Sequence, residues 1–179
     1  VLVRVHAASL NAWDRDNLVG AFANRGMLGW RRPRIRVLGG DIAGCVEAVG
    51  RAVTRFLPGD EVFGDLCNSG WGAFAEYARA PQDVLTRKPS GLGFAQAAAM
   101  PQAAVMALQG VRDHGKVRAG QRVLVNGAGG GVGTFAVQLA KMFGAEVTAV
   151  DAAAKLSRLR ELGAAHAIDY RAQDFTRTG

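Results

Sequence analysis

Five glycines fall within the seven residues Gly127-Ala128-Gly129-Gly130-Gly131-Val132-Gly133, between a short apolar run at 122–126 and an amphipathic one that follows. A diphosphate is held by backbone N–H groups aimed from a helix N-terminus, and only residues with little or no side chain let the chain approach that closely. The strict G-x-G-x-x-G pattern is absent. What stands is Gly127-x-x-Gly130-x-x-Gly133, with Ala128 where the spacing back from Gly130 and Gly133 wants the first glycine. Alanine still permits close approach, so the turn points to a dinucleotide cradle with Ala128, Gly130, Gly131, Val132 and Gly133 as candidate contacts. A purely structural glycine turn is the alternative.

Two residues downstream leave the choice of dinucleotide open. Asp151 ends a second apolar run, where a carboxylate accepts hydrogen bonds from a ribose 2′-OH and repels a 2′-phosphate. Lys155 lies four residues on, with Arg158 near it, and a cation there pairs with a 2′-phosphate. An i, i+4 salt bridge at the exposed start of a helix accounts for both residues equally well.

Hydrophobic periodicity predicts the elements that hold these residues. Arg122 to Asn126 reads as a buried strand. The next segment reads as a helix with Val132, Ala136, Leu139 and Phe143 on one apolar stripe, stopped at Gly144. Glu146 to Val150 is a second strand, Ala153 to Leu162 a second helix ended by Gly163, and Ala167 to Tyr170 a third strand. That alternation predicts a parallel βαβαβ half-unit. Upstream, Phe94 to Met100 and Ala103 to Val111 are Ala-rich and helical, broken at Pro101. Before about residue 88 come short β-type runs at Val1 to His6, Ile42 to Val49, Glu61 to Phe63 and Ala73 to Ala78, separated by Gly and Pro turns. They predict a compact β-barrel-like module. The expected domains are 1–92 and 93–179.

Composition bounds the rest. The chain has 179 residues, 49% of them hydrophobic and 21% charged, with 22 Lys+Arg against 15 Asp+Glu. With no run of ~18 uncharged apolar residues, it reads as neither disordered nor membrane-spanning. Cys45 and Cys67 are too few for a disulfide framework or for most zinc sites. Residue 1 is Val and residue 179 follows closely on a strand-like stretch, so the chain reads as an excerpt of a longer one, with a targeting segment upstream left open.

The chain resembles the medium-chain dehydrogenase/reductase superfamily, within it the zinc-independent quinone oxidoreductase branch that includes mitochondrial reticulon-interacting homologues. The resemblance rests on the run from Val1 through Asn11 to Asp14, on Leu38-Gly39-Gly40-Asp41-Ile42-Ala43-Gly44, on Pro58 to Phe63, on Gly72 to Tyr77, on the glycine turn and on Leu162 to Tyr170. It implies an α/β fold, a GroES-like β-barrel module followed by the first half of a Rossmann doubly wound parallel sheet, with a pocket in the cleft between them. Family members are roughly twice as long, so the excerpt is not expected to be active alone.

Departures from the family pattern direct the expected chemistry. Zinc alcohol dehydrogenases ligate the catalytic metal with a Cys and a Gly-His-Glu segment, and the matching positions here are Asn11 and Gly39-Gly40-Asp41. The four-cysteine lobe has only Cys67 in its region, and His6, His114 and His166 are scattered. No metal site is therefore expected. Without a Lewis acid, alcohol oxidation is disfavoured, whereas hydride addition to a quinone or an α,β-unsaturated carbonyl needs no metal.

The resemblance places Asn11 and Asp14 at the floor of the cleft, polarising or orienting the acceptor. A turn-forming Asn11 and a helix-capping or salt-bridged Asp14 are the alternatives. Lys155 and Tyr170 match positions that hold a 2′-phosphate in NADPH-using members, and Asp151 departs from the small or hydroxyl residue expected beside them. NADP(H) is slightly favoured over NAD(H). Met106 stands where a nicotinamide-contacting threonine is typical.

The expected protein is a cytoplasmic, homodimeric NAD(P)H-dependent reductase of small-molecule quinones or enones, with no membrane partner. The rival enzyme reading is an enoyl-reductase module of a fatty-acid or polyketide synthase. A rival of another class is nucleic-acid binding through Trp30-Arg31-Arg32-Pro33-Arg34-Ile35-Arg36, in a chain of pI near 10.2. A solvated basic loop is the favoured account of that run.

Overall fold

The computed structural model describes residues 1–20 and 35–177. It divides into two compact units, Val1–Gln102 and Ala103–Gly179.

The first unit is built on one five-stranded antiparallel sheet of order β4-β1-β2-β3-β5. Its strands are β1 (Leu2–Ala8), β2 (Asp41–Ala48), β3 (Glu61–Asp65), β4 (Tyr77–Arg79) and β5 (Leu85–Arg87). The central strand β2 is buried through its first four residues, which is why Asp41-Ile42-Ala43-Gly44 carries no alternation. Gly44 is required by β1: a Cβ there would strike the carbonyl oxygen of Arg4 across the ladder. Val3, Ile42, Val46, Phe56, Val62, Leu66 and Leu85 form the core. Burying each such side chain contributes roughly 1.5–3 kcal/mol.

Three features differ from the sequence pattern. Ala73 to Glu76 is not strand; the amides of Ala73 and Phe74 donate to the carbonyls of Gly39 and Leu38, both at 3.0 Å. The run Gly70, Trp71, Gly72 explains this, because all three residues have positive φ (107°, 64° and 105°), which turns the chain away from extended geometry. The strand β5 and the helix Ala12–Leu18 went unassigned, each too short to show a period. The Ala-rich segment is broken near Pro101 as expected, into the helices Phe94–Ala98 and Pro101–Leu108, but the second opens on Pro101 itself and not at Ala103, because at a first helical position the missing N–H costs nothing. The first of these packs Ala97 and Ala98 on the sheet beside Ala43, within the first compact unit.

The second unit is a parallel sheet of order β6-β7-β8, made of β6 (Arg122–Asn126), β7 (Glu146–Asp151) and β8 (His166–Asp169). The helix Gly131–Met142 connects β6 to β7. A short 3₁₀ turn, Ala153–Lys155, and the helix Leu156–Glu161 connect β7 to β8. Gly144 and Gly163, at φ +82° and +113°, end the two helices in the left-handed conformation that favours glycine. The antiparallel module followed by half a doubly wound sheet is the organisation expected from the sequence. Within it, the first helix buries Val137 and Ala140 most deeply, with Ala136, Leu139 and Phe143 packed beside them, while Val132 is 37% exposed. The strand β6 is half-exposed, because it stands at the edge of the described sheet.

Candidate functional site

The glycine turn is tied to the end of β7. Gly127 has φ +73°, and the amides of Gly127 and Ala128 both donate to the Val150 carbonyl at 3.0 and 3.1 Å. The Gly130 N–H returns to the Gly127 carbonyl at 3.0 Å, and Gly130 is the N-cap of the Gly131–Met142 helix, with no side chain capping it. The first-turn amides of Gly131, Val132 and Gly133 therefore have no intrahelical acceptor, and they carry the positive end of the helix dipole. Gly130, Gly131 and Val132 are exposed, whereas Ala128 is fully buried in the core and its N–H is spent on the Val150 carbonyl.

Beside this turn, Asp151 is 7% exposed. Its Oδ2 accepts the Gly129 N–H at 2.8 Å, and its Oδ1 accepts the Ala152 N–H at 2.8 Å and faces the Lys155 ammonium at 3.1 Å. Burial acts to raise this carboxyl, and the bonds from Ala152, Gly129 and Lys155 outweigh it, so Asp151 titrates below the ordinary carboxylate value. The i, i+4 salt bridge is thus formed. Gly129 makes room for it, since a Cβ there would collide with the Lys155 side chain. Arg158 pairs instead with Glu161 at 2.9 Å. Tyr170 joins the group through its backbone, donating to the Asp151 carbonyl at 3.4 Å; its ring is 48% exposed, with the Arg171 guanidinium 5.7 Å from the ring centre. Met106 is half-exposed on the Pro101–Leu108 helix.

Asn11 and Asp14 belong to the first unit, where they organise a helix start. Asn11 is the N-cap of Ala12–Leu18, and its N–H donates to Asp14 Oδ2 at 2.8 Å. Asp14, 1% exposed, accepts the Gly39 N–H on Oδ1 at 3.0 Å, so one carboxylate staples the helix to the glycine pair before β2. We expect Asp14→Ala to lower the unfolding free energy of this unit by about 2–3 kcal/mol, from a lost cap and an unpaired buried amide. Chemical denaturation followed by tryptophan fluorescence measures it, and an unchanged midpoint would contradict the clamp.

The Asn11 carboxamide donates from Nδ2 to Ser9 Oγ at 3.1 Å and to Asp41 Oδ2 at 3.0 Å. Asp41, which the sequence reading did not single out as a functional side chain, is the centre of this network. It is fully buried, its Oδ2 also accepts from Ser9 Oγ at 3.1 Å and the Gln102 N–H at 3.3 Å, and its Oδ1 has no partner. Burial pushes its carboxyl up to about 6 against the bonds from Asn11, Gln102 and Ser9, with Asp65 adding repulsion. A carboxylate opening the apolar run Ile42 to Val46, directly after Gly39-Gly40, was the available signal.

These residues do not fit a zinc ion. A side chain on Gly40 would run into Cys67 Sγ, which accepts from Gln102 Nε2 at 3.0 Å, and burial raises that thiol further from ionisation. Asn11 turns its amide nitrogen to Ser9 and Asp41, and an amide N–H donor is no metal ligand. His6 is stacked on Phe94, and His166 faces Glu146. Among the described residues no group of three or more His, Cys, Asp or Glu side chains is placed to hold a metal. A broad open depression lined by Val117, Val123, Leu124, Thr148, His166 and Ile168 touches none of the candidate site residues. The basic run falls mostly on residues outside the described ones.

An antiparallel β module followed by a glycine turn, a helix N-terminus and an acid at the second strand end on a parallel half-sheet is the organisation of a two-part α/β class with a Rossmann-type second half. Residues 1–90 match the family described as alcohol dehydrogenase GroES-like domain, and residues 131–178 the one described as zinc-binding dehydrogenase. The chain belongs to the medium-chain dehydrogenase/reductase superfamily, through its GroES-like domain.

Among curated relatives it is 38% identical to the 2-methylene-furan-3-one reductase of Solanum lycopersicum, over 98% of this chain and 46% of that protein. It is 36% identical to the human protein named NAD(P)H oxidoreductase RTN4IP1, mitochondrial, over 96% of this chain and 46% of the other. The solved quinone oxidoreductase of Coxiella burnetii superimposes with a TM-score of 0.90 at 35% identity, covering 98% of this chain and 55% of that one. The chain spans about half the length of the curated relatives it matches. Among the described residues no helix is long and apolar enough to cross a membrane.

Proposed function

We propose that this chain belongs to an NAD(P)H-dependent, zinc-independent oxidoreductase that reduces quinones or α,β-unsaturated carbonyls. The observation that carries the reading is the glycine turn, with its free first-turn amides beside Asp151 and Lys155. The printed names of the relatives, a furanone reductase, an NAD(P)H oxidoreductase and a quinone oxidoreductase, agree with it. The residues that would hold the cofactor are the backbone of Gly130 to Gly133, with the small buried Ala128 letting the turn lie close beneath it, together with Asp151, Lys155 and Tyr170. When bound, the reduced nicotinamide supplies a hydride from its C4.

The chain's own residues do the rest. The amides at 131–133 neutralise the diphosphate, and Lys155 favours NADP(H) slightly over NAD(H). Asn11, whose Nδ2 hydrogens are engaged by Ser9 and Asp41, orients the acceptor by its position and does not polarise a carbonyl, and Asp14 holds the Asn11 backbone in place. Water protonates the resulting oxyanion. No zinc takes part, because the Asn11, Gly40 and Cys67 positions do not make a ligand set. The proposal includes a cytoplasmic location and a homodimeric assembly.

Steady-state assays of the whole protein, with a quinone and with an enone, NADPH and NADH, and chelator present or absent, test this. Turnover unaffected by the chelator is expected. Activity that vanishes with the chelator and returns with zinc would overturn the metal-free mechanism, and oxidation of simple alcohols in preference to enone reduction would overturn the substrate class.

A further inference from the structure

The two partners of the Asp151–Lys155 ion pair are unequally fixed. The Asp151 carboxylate side chain is 9% exposed and is held by the Gly129 and Ala152 amides at 2.8 Å each. The Lys155 side chain is 51% exposed, and its ammonium bonds to Asp151 alone among the described residues. Its stem crosses Gly129, whose missing Cβ leaves the passage open. Asp151 stays where it is when the lysine leaves, because both of its amide bonds remain.

Resting on the NAD(P)H reading above, we propose that this pair is a charge-compensated specificity device that admits cofactors with and without a 2′-phosphate. Lys155 swings from Asp151 to a 2′-phosphate when one is present and stays on Asp151 when a ribose hydroxyl is there instead. An unmasked carboxylate at this strand end repels a phosphate dianion, and an unpaired lysine selects for one, so either residue alone would give a one-sided site. Together they largely offset each other and leave only the slight preference for the 2′-phosphate.

Two substitutions must then move cofactor preference in opposite directions and fail to add. Lys155→Ala exposes the carboxylate and weakens a 2′-phosphate-bearing ligand by roughly ten- to a hundredfold, with little change for its counterpart lacking the phosphate. Asp151→Asn keeps the shape and an acceptor for Gly129, removes the charge, and tightens the phosphate-bearing ligand by roughly three- to tenfold. In the double variant the Lys155→Ala loss shrinks, because the repelling charge is gone.

Equilibrium titration of the whole protein with NADP⁺, NAD⁺, 2′-AMP and 5′-AMP, at low and at physiological salt, reads these effects without turnover. Circular dichroism checks the fold of each variant. Equal loss of both ligands in Lys155→Ala, or an unchanged NADP⁺ to NAD⁺ ratio in Asp151→Asn, would overturn the proposal. If Asp151→Asn fails to fold, the Lys155→Ala ratio and its salt dependence decide alone. Intact nucleotide binding in a protein that reduces neither quinones nor enones would sink the activity reading while leaving this one standing.

Discussion

Gly133→Ala is expected to destabilise the second unit by about 3 kcal/mol and to abolish nucleotide binding, although alanine is ordinarily the better helix residue by up to ~1 kcal/mol. Gly133 sits in the first turn of a helix with ordinary backbone angles, so the cost is steric and not conformational. A Cβ there would strike the Gly127 carbonyl oxygen and lie 2.7 Å from the Cα and carbonyl carbon of Ala128. Those are backbone atoms of the turn itself, and they are pinned to Val150 by two hydrogen bonds. They cannot rotate aside as a side chain would.

Relief has to come from moving the helix away from β6 or from unpinning the turn, and either disperses the amides at 131–133. Gly131→Ala is the control, because its added Cβ has nothing nearer than Ala103 Cβ at 4.0 Å. Thermal unfolding of the two variants should separate them by about 8 °C or more, and titration with NADP⁺ should show binding lost in the first only. Coincident melting curves for Gly133→Ala and the unmodified protein would remove the steric account of this glycine.

The same contrast explains what was legible in the sequence. The strands at 122–126 and 146–151 and the helices between them follow from apolar runs closed by Gly144 and Gly163, which are local signals. The glycine turn could be placed for the same reason: its residues are adjacent in the chain. Asp41 could not be read as a functional side chain, because its partners Ser9, Asn11 and Gln102 come together only through the sheet and the Pro101–Leu108 helix.

Asp151 and Lys155 were recognisable as a pair at i, i+4, but not the asymmetry between them, which depends on which carboxylate oxygen each amide takes. The short strand Leu85–Arg87 escaped because three residues carry no period, and its existence depends on pairing with Val62 to Gly64. Val132 was assigned to the buried stripe by its spacing alone, whereas the first helical turn projects beyond the core it would have packed against.

Asp41→Asn is expected to change how stability depends on pH, by an amount as large as many core mutations. The carboxyl is moved from an ordinary 3.8 up to about 6 by burial, opposed by hydrogen bonds from Asn11, Gln102 and Ser9 and assisted by Asp65. A raised acid favours the folded state while it is protonated. Below pH 3.8 both folded and unfolded chains hold the proton and the contribution is fully present. Between 3.8 and 6 the unfolded chain releases it first, so stability falls as pH rises. Above 6 the folded protein carries a buried charge at a cost of about 3 kcal/mol.

The facing groups sharpen this assignment. Asp65 is a like charge, and the Cys67 thiol is held neutral across the range, so no neighbouring cation compensates the carboxylate among the described residues. Three donors hold Oδ2 while Oδ1 has none, so the asparagine variant keeps an acceptor for the donors, removes the charge and puts an amide nitrogen in the unpartnered position, a cost that does not vary with pH. Denaturant midpoints at pH 4 and pH 7 measure the outcome as a difference between variant and parent, which cancels carboxylates with lowered values such as Asp60 and Asp174. That difference should shift in favour of the variant by about 2.4 kcal/mol from pH 4 to pH 7. Parallel profiles would mean that Asp41 stays ionised in the folded protein and that its hydrogen bonds, not its burial, set its proton affinity.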